Sequence, residues 1–322
     1  VTIGSATVDN FADTEAEVIR IETPHSKEQL IAYPLGSKIL IKHLDVTTGG
    51  GGTNTAVCCA RLGLRTAFLG KIGEDPNGDF IIRSLAAEGV DFIGVREGKS
   101  GYSVILDSFI EDRTILAFKG ANNDLRYDEI KPLDTDWIYI SSMLGESWET
   151  VVKIAQHTTA KVVFNPSNYQ AELGYEKLRG LIDRLEILVL NKEECCKLLG
   201  LDYKENYSPK ILMQKMAELP PRIIVMTDGS AGAYVYDREF LYHGLPSDDL
   251  KVVETTGAGD AFASSFTAGK VMGFDTPTCI KIAMTNAESV LSVKGAKEAL
   301  LSKNALLEKV QQDTRRIDVE PL

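Results

Sequence analysis

The sequence predicts an α/β fold, a doubly wound and mostly parallel sheet flanked by helices, with a small lid of β-strands. From Ala56 onward, short apolar runs alternate with amphipathic stretches, which is typical of parallel strands joined by helices. Two segments, 13–46 and 95–120, instead alternate apolar and polar residues at every second position, as exposed antiparallel strands do. The chain has 322 residues, 44% of them hydrophobic, so it can bury the core that such a fold requires.

Five apolar runs are the predicted strands of the main sheet, namely 65–70, 137–141, 162–165, 187–191 and 223–227. Helical patterns lie between most of them, so helices are expected on both faces of the sheet. We expect one α/β core, built from residues 1–12, 47–94 and 121–322, that binds nucleotide and substrate. The segments 13–46 and 95–120 would form a small sheet beside the ligand cleft, as a lid or as a dimer surface.

Charge and composition exclude several classes of partner. Asp and Glu outnumber Lys and Arg by 46 to 35, and the net charge of −11 disfavours nucleic acid, whose phosphates require a basic surface. The five cysteines include no CxxC pair, so neither a zinc site nor a disulfide framework is expected, and a reducing cytoplasm fits best. No run of about 18 uncharged apolar residues occurs, so we expect a cytoplasmic protein without a membrane partner.

The strongest chemical signal is the segment 254–262, which reads Glu-Thr-Thr-Gly-Ala-Gly-Asp-Ala-Phe. Gly257 and Gly259 permit a sharp loop whose amides converge, and the start of the next helix adds partial positive charge there. A phosphoryl group in transfer needs such donors, because negative charge spreads over its oxygens. Asp260 lies in the first turn, where it can take a proton from an attacking hydroxyl. Taken alone, the tetrapeptide is more typical of a glycine turn with Asp260 as a helix cap.

This segment resembles the second signature of the ribokinase-like (PfkB) carbohydrate kinases, Asp-Thr-Thr-Gly-Ala-Gly-Asp-Ala-Phe, and departs from it only where Glu254 replaces Asp. The resemblance implies a ribokinase-like fold with Asp260 as the catalytic base. It also implies that Glu254 and Thr256 help to hold a monovalent cation, K⁺. The anion hole would be formed by the amides of Gly257, Ala258 and Gly259.

Two further segments match the family on the acceptor side. The run 49–54 leads into a predicted helix and is similar to the family motif Gly-Gly-x-x-x-Asn-x-Ala, which implies that Gly50 and Asn54 contact the substrate. Asp9 follows a predicted first strand, and ligands of doubly wound sheets bind outside the carboxyl ends of strands. The family uses an Asp in this position to bind sugar hydroxyls. The alternative for the glycine run is a flexible linker, but linkers do not usually lead into an amphipathic helix and then a strand. Without the resemblance, Asp9 is equally a solvated loop residue.

The nucleotide side resembles the family in two more places. The segment 191–194 is similar to the Asn-x-x-Glu motif that acts on Mg²⁺ and phosphate through water, which implies a magnesium role for Glu194. By itself this run is more typical of favourable charges in a first helical turn. The segment 227–232 is similar to the family's Thr-x-Gly-x-x-Gly turn, which otherwise reads as an ordinary hairpin. The resemblance implies nucleotide contacts for Asn191, Thr227, Gly229, Gly232 and Asn286.

Other enzyme classes lack their motifs in this chain. The run 98–100, Gly-Lys-Ser, has Ile93 where a P-loop requires glycine. No G-x-G-x-x-G follows the first strand, so a dinucleotide site is not predicted. No G-x-S-x-G elbow precedes a helix, so a hydrolytic triad lacks its nucleophile.

The sequence therefore predicts a kinase that transfers the γ-phosphoryl group of ATP to a primary hydroxyl of a small carbohydrate, ribose- or fructose-like. A nucleoside kinase of the same family is the first alternative. A sugar-binding regulator without turnover is the second, although a pure binding protein has no need of the base Asp260. In relatives the lid often pairs two subunits, so the resemblance also implies a homodimer formed through the lid.

Overall fold

The computed structural model describes residues 1–14, 17–23, 27–107, 113–293 and 295–322. The strands are β1 Thr2–Ile3, β2 Thr7–Thr14, β3 Glu17–Glu22, β4 Lys27–Ala32, β5 Ile41–Gly49, β6 Ala67–Leu69, β7 Lys71–Ile72, β8 Asp91–Phe92, β9 Val95–Arg96, β10 Gly101–Asp107, β11 Arg113–Phe118, β12 Trp137–Ser141, β13 Lys161–Asn165, β14 Leu185–Asn191, β15 Ile223–Thr227, β16 Ala233–Tyr236, β17 Leu241–Gly244 and β18 Ile317–Glu320. The helices are α1 Gly51–Arg61, α2 Pro76–Ala87, α3 Glu146–His157, α4 Asn168–Ala171, α5 Tyr175–Ile182, α6 Lys192–Leu198, α7 Pro209–Met216, α8 Ala258–Val271, α9 Thr276–Leu291 and α10 Lys303–Gln312.

The structure confirms the predicted fold class. Within the described residues, the main sheet has the order β18-β17-β16-β15-β14-β13-β12-β1-β6-β8. The strands from β8 to β15 pair in parallel, whereas β15, β16, β17 and β18 pair antiparallel at one edge. All five predicted strands of the main sheet are present, as β6, β12, β13, β14 and β15.

Strand β13 shows why helices cover both faces of this sheet. Val162 and Phe164 are fully buried in the same apolar cluster as Val151 of α3. Val163, which points to the opposite face, is buried in a second cluster with Phe266 of α8. Because neighbouring residues of a strand point to opposite faces, a continuous apolar run requires cover on both sides.

Helix α8 packs closely against α9 because its buried residues are mostly small. Ala263 and Ser265 are fully buried, and a Cβ atom added at Gly269 would lie 2.8 Å from Cys279 Sγ of α9. The absence of a side chain at Gly269 therefore lets α8 and α9 approach closely. This packing fixes the position of the start of α8, and with it Asp260.

A second, four-stranded sheet has the order β11-β10-β2-β5, and we call it the small sheet. Its pairs β10–β11 and β2–β5 are antiparallel, whereas β2 and β10 pair in parallel. The pair β10–β11 is the antiparallel pair predicted for 95–120, and the antiparallel pair within 13–46 is β3–β4, which forms a separate two-stranded sheet. The strand predicted at 38–42 begins only at Ile41, and the boundaries expected at residues 12 and 46 fall inside β2 and β5. We propose that the small sheet, including all of β2 and β5, is the lid.

The structure also describes the cysteines and the apolar character of the helices. The five cysteines are all buried as free thiols. No helix among the described residues combines the length and the apolar character that a membrane span requires.

Candidate active site

Three pockets adjoin where the parallel strands of the main sheet end. The central pocket, of about 310 Å³, is lined by Ser141, Asn165, Asn191, Glu194, Thr227 and Asp260. The apolar pocket, of about 600 Å³, is lined by Gly229, Gly232, Phe262, Met284, Ala287 and Leu291. The polar pocket, of about 160 Å³, is lined by Ser5, Lys119, Asn122, Asn123, Ser142 and Tyr169.

The central pocket adjoins both of the others. It shares Thr227 and Gly259 with the apolar pocket, and Ser5 and Ser142 with the polar pocket. Its lining includes the last residues of β12, β13, β14 and β15. Ligands of doubly wound sheets bind at this edge, because the carboxyl ends of parallel strands meet there. The arrangement suits two ligands that meet end to end in the middle.

Asp260 lies in the first turn of α8 and lines the central pocket, where it is partly exposed. Asn54 Nδ2 donates a hydrogen bond to Asp260 Oδ2 over 3.0 Å. Burial raises the pKa of Asp260 above its ordinary value, and the hydrogen bond from Asn54 lowers it in part. A carboxylate whose pKa is raised is a stronger base, so Asp260 is suited to take up a proton.

The three residues before Asp260 differ in how much space surrounds their backbone. Gly257 caps α8 with φ of +79°, and a Cβ atom there would lie 2.4 Å from the carbonyl oxygen of Ala296. Ala258 is the first residue of the helix and lines the apolar pocket. A Cβ atom added at Gly259 would meet nothing within 4 Å, so the backbone there is open to both pockets. The first amides of a helix have no intrahelical partner and attract anions.

Helix α1 begins on the other side of the central pocket. Gly50 caps it with φ of +98°, and a Cβ atom there would lie 2.5 Å from the carbonyl oxygen of Ser5. Gly51 lines the central pocket, and Asn54 follows in the first turn. The structure thus brings Asn54 to Asp260, which lies 206 residues away in the chain. Gly50 instead packs against the backbone of Ser5, and Gly51 is the residue of this loop that lines the central pocket. Two helix starts face one pocket, which concentrates backbone N–H donors and partial positive charge.

Asn191 and Glu194 form a reciprocal cap at the start of α6. Asn191 Oδ1 accepts a hydrogen bond from the Glu194 N–H over 2.8 Å, and Glu194 Oε2 accepts one from the Asn191 N–H over 2.9 Å. This is the capping box expected of such a pair in any helix. Both residues also line the central pocket. Burial, opposed by the backbone hydrogen bond, raises the pKa of Glu194 to about 7.

Thr227, Gly229 and Gly232 lie together at one wall of the apolar pocket. Thr227 ends β15, and a 3₁₀ turn over Gly229–Ala231 leads to Gly232, whose φ is +90°. A Cβ atom at Gly232 would lie 2.0 Å from the carbonyl oxygen of Gly244, so only glycine fits there. The residues of this turn that line the pocket, Gly229, Ser230 and Gly232, are all small.

Asp9 does not follow a strand of the main sheet, as the sequence suggested, but lies inside β2 of the small sheet. The difference arises because β1 ends at Ile3 and the chain then crosses to the second sheet. The carboxylate of Asp9 packs against Gly49, where a Cβ atom would lie 1.9 Å from Asp9 Oδ2. Within the described residues it lines none of the three pockets, although Gly49, which it contacts, immediately precedes Gly50, the cap of α1.

Asn286 is not brought to the pockets either. It is fully buried in α9, where its Nδ2 donates to Ser265 Oγ over 2.8 Å and its Oδ1 accepts from the Leu301 N–H over 2.9 Å. These bonds hold α8, α9 and the following segment together. The residues of α9 that line the apolar pocket are Met284, Ala287, Glu288 and Leu291.

Glu254 and Thr256 lie beside the Gly257 loop. The Thr256 hydroxyl donates to Glu254 Oε1, and the Gly295 N–H donates to Glu254 Oε2 over 3.2 Å. The pair therefore connects the segment before α8 to the segment after α9. Carboxylate and hydroxyl oxygens are suitable donors for a hard cation.

Several lining residues were missed by sequence reasoning. Asn165 and Ser141 end predicted strands, so the strand-end rule alone could have selected them. Phe262 and Met284 carry no such signal, because apolar residues of buried helices look the same whether they face a core or a ligand.

Comparisons with known proteins identify the family of this chain. The sequence model of the pfkB family carbohydrate kinases matches residues 23–303. An uncharacterized sugar kinase of Archaeoglobus fulgidus is 30% identical over 253 residues, which are 75% of this chain and 97% of the relative. The 5-dehydro-2-deoxygluconokinase of Bacillus velezensis is 29% identical over 291 residues, covering 82% of this chain and 85% of that one.

Solved structures share the fold over almost the whole chain. The ribokinase of Arabidopsis thaliana, complexed with ribose and ATP, superposes with a TM-score of 0.78 at 23% identity, covering 96% of this chain and 97% of that one. A nucleoside kinase of Methanocaldococcus jannaschii gives a TM-score of 0.76 at 22% identity, covering 97% and 98%.

Proposed function

This chain belongs to the pfkB family of carbohydrate kinases and is an ATP-dependent carbohydrate kinase, and from this premise we propose its reaction and the roles of its residues. The γ-phosphoryl group of ATP is transferred to a primary hydroxyl of a small carbohydrate, ribose- or fructose-like. The observation that carries the proposal is the 3.0 Å hydrogen bond from Asn54 to Asp260. It joins the starts of α1 and α8 at the pocket edge where such ligands bind.

In the proposed reaction Asp260 takes the proton of the acceptor hydroxyl as its oxygen attacks the γ-phosphorus. The new O–P bond forms while the bond from that phosphorus to the bridging oxygen of ADP breaks. Amides of Gly257, Ala258 and Gly259 stabilise the charge on the transferring oxygens. The open backbone at Gly259, which leaves room for an anion to approach, supports this role.

The donor ATP would occupy the apolar pocket, with its phosphates directed towards the central pocket. Thr227, Gly229 and Gly232 would lie beside the nucleotide, and Phe262 and Met284 would contact its base. A volume of about 600 Å³ is within the usual range for small-molecule sites. The Arabidopsis thaliana ribokinase with ribose and ATP and the Cryptococcus neoformans ribokinase with ADP support ATP as the donor.

The acceptor would bind from the polar side of the central pocket. Gly50 and Asn54 would contact it from the start of α1, and Asp9 would reach it from the small sheet. A nucleoside acceptor remains the alternative within the family, supported by the Burkholderia thailandensis nucleoside kinase in complex with inosine.

Magnesium is the divalent cation that the family implies, and the residues present fit it. Glu194 offers a carboxylate in the same pocket as Asp260, and magnesium favours oxygen donors while keeping several of its waters. When bound, it supplies neutralisation of phosphate charge. We propose that Glu194 holds it through water and that Asn191 orients Glu194 through the reciprocal cap.

The raised pKa of Glu194 makes a pH-dependent prediction for magnesium. With a pKa of about 7, the carboxyl is mostly neutral at pH 6 and mostly ionised at pH 8. Because only the ionised form attracts the cation, the half-saturating magnesium concentration should fall by roughly tenfold from pH 6 to pH 8. Glu194→Gln, which preserves the cap acceptor, should abolish that dependence in an ADP-release assay.

Glu193→Gln is the matched control for this prediction. Glu193 is the neighbouring carboxylate, is more exposed and pairs with Lys197 over 2.9 Å. In Glu193→Gln the half-saturating magnesium concentration should still depend on pH, but the change should occur at slightly lower pH. The reason is that the charge of Glu193 contributes to the raised pKa of Glu194. A Glu194→Gln enzyme with the wild-type profile would reject the assignment.

A monovalent cation is proposed at Glu254 and Thr256. Their oxygens lie together beside the Gly257 loop, and their donor chemistry suits K⁺. Charge placed here would act on the loop that carries the anion-binding amides.

The acceptor class is tested by measuring ADP release with ATP, Mg²⁺ and a panel of ribose, fructose and nucleosides. Acceptor-dependent release with a phosphorylated primary hydroxyl, identified by phosphorus NMR, supports the proposed reaction. Binding of a sugar without any ADP release would instead identify a sugar-binding regulator.

We also propose a homodimer formed through the small sheet. Leu44 and Leu116, on its two outer strands, are 57% and 56% exposed. Exposed apolar patches of this kind mark interaction surfaces, and a second copy of the chain presents the complementary patch.

Leu44→Glu should convert a dimer into a monomer in sedimentation velocity, because a charge cannot be buried unpaired in the contact. Ile211→Glu, at a residue of α7 that is 44% exposed outside the small sheet, should leave the dimer intact. A monomeric wild-type protein would contradict the proposal.

A further inference from the structure

The polar pocket has an electrostatic character that the proposed reaction does not use. Lys119 is its single charged lining residue within the described part of the chain. The other lining residues are neutral, although 46 of the 322 residues are acidic and the net charge is −11. A pocket free of carboxylates in so acidic a chain is suited to an anion.

The backbone of Lys119 is held firmly at this pocket. Asn122 is 2% exposed and donates through Nδ2 to the Lys119 carbonyl oxygen and to the Ala6 carbonyl oxygen, each over 2.9 Å. Asn122 Oδ1 also accepts from the Ala6 N–H over 2.8 Å. Lys119 therefore leaves β11 from a point that is anchored to the core, while its side chain is exposed at the pocket.

No anion among the described residues competes for the Lys119 ammonium. Among the described residues, no carboxylate lies within ion-pair distance of it, unlike Lys71, which pairs with Glu129 over 2.9 Å, or Lys197, which pairs with Glu172 over 2.9 Å. An ammonium that no described carboxylate pairs with, and that lines a pocket, is available to a ligand. Charge-assisted hydrogen bonds to carboxylate or phosphate are the strongest that lysine forms.

The central pocket and the polar pocket carry opposite charge. Asp260 lies in the central pocket and Lys119 in the polar pocket, and Ser5 and Ser142 line both. A volume of about 160 Å³ at the Lys119 end corresponds to roughly five water molecules, which is sufficient for a carboxylate or phosphate group.

We propose that the acceptor carries an anionic group, a carboxylate or a phosphate, which Lys119 binds in the polar pocket while the reacting hydroxyl lies at Asp260. This inference rests on the proposed kinase function and narrows its substrate class from carbohydrates in general to anionic ones. Lys119 acts on binding and specificity, not on proton transfer.

The test compares acceptors with and without an anion at constant ionic strength. Ribose and fructose are the neutral probes, gluconate is the carboxylate probe, and fructose 6-phosphate and ribose 1-phosphate are the phosphate probes. The wild-type protein should have a higher kcat/KM for a carboxylate or a phosphate probe than for both neutral sugars. The probe that is preferred identifies which anion the pocket accepts.

Lys119→Met removes the charge and keeps most of the aliphatic length. It should raise KM for the preferred anionic acceptor by roughly 10- to 150-fold, the range for a hydrogen bond to a charged group, with kcat little changed. Activity on neutral sugars should stay within about twofold, because no charge pair is lost with them. Lys119→Arg should restore most of the affinity, and Lys99→Met, at an exposed lysine that does not line the pocket, should behave as wild type.

The outcomes distinguish failure of the anionic-acceptor inference from failure of the proposed kinase reaction, on which the inference rests. Preference for neutral sugars, or an equal loss on both classes in Lys119→Met, rejects the anionic acceptor and leaves the kinase proposal standing. Failure of every acceptor to cause ADP release rejects the proposed reaction. In that case calorimetry measures binding of the same probes to the wild-type protein and to Lys119→Met. The inference stands if Lys119→Met weakens binding of an anionic probe but not of the neutral sugars, and it fails otherwise.

Discussion

Replacement of Asp260 by asparagine should lower kcat by roughly 10²- to 10⁴-fold, the range for loss of a general base. The KM values for ATP and acceptor should change little, because asparagine keeps the size of the side chain and can still accept the hydrogen bond that Asn54 Nδ2 donates over 3.0 Å. What is lost is the capacity to take a proton. Initial rates of ADP release over a range of both substrates measure the effect.

The pH profile gives a second reading of Asp260. Burial raises the pKa of the carboxyl, and only its ionised form can accept a proton, so wild-type kcat should rise as pH increases through that pKa. This limb should be missing from the residual rate of Asp260→Asn. Asp183→Asn, at an exposed residue that pairs with Arg179 over 3.3 Å on α5, is the control and should keep full activity. Near-normal turnover in Asp260→Asn would overturn the mechanism.

Gly259→Ala should lower the activity of the enzyme without lowering its free energy of unfolding. A Cβ atom there meets nothing within 4 Å, and alanine favours the helix over glycine by about 0.5–1 kcal/mol, so Gly259→Ala should fold at least as stably as wild type. The same methyl group enters the space between the central and apolar pockets, where the phosphates would lie. We expect kcat/KM to fall by about 10²-fold, comparable to the loss of one oxyanion donor.

Gly257→Ala is the contrasting variant, two residues away. Its φ of +79° and the 2.4 Å approach of its Cβ atom to the Ala296 carbonyl oxygen should cost roughly 1–3 kcal/mol of unfolding free energy. In thermal and urea unfolding, Gly257→Ala should be the less stable of the two variants. In the rate assay, Gly259→Ala should show the larger loss of kcat/KM. Full activity of Gly259→Ala would show that the phosphates lie elsewhere.

Much of the fold follows from local patterns in the sequence. The runs 137–141 and 223–227 are continuous, apolar and flanked by helical periodicity, and both form parallel strands of the main sheet with the predicted bounds. The small sheet was harder to predict from the sequence, because period-two alternation identifies exposed strands but not the strands with which they pair. The parallel pairing of β2 with β10 depends on contacts between segments about 94 residues apart, which no local pattern contains.

Asn286 and Asp9 show where motif matching needed the tertiary structure. Both are polar residues at plausible positions in the chain, yet Asn286 satisfies its hydrogen bonds inside the helix packing and Asp9 lies in a strand of the small sheet. Whether a polar side chain faces a ligand or a neighbouring helix depends on the packing of distant segments. Lys119 is the converse case, because nothing in its sequence neighbourhood marks it as a pocket residue.

The amino-acid sequence predicted the fold class, the Gly-Ala-Gly loop before Asp260 and the chemistry that a carboxylate among helix amides can perform. These properties depend on residue type and on short spacing, which a linear chain states directly. Three features arise only from folding: the contact of Asn54 with Asp260, the burial that raises the pKa of Glu194 to about 7, and the position of Lys119 at the polar pocket, where no described carboxylate pairs with it. The reason is physical: distance, burial and the lack of a competing charge are properties of packed segments, and they exist only after the chain has folded.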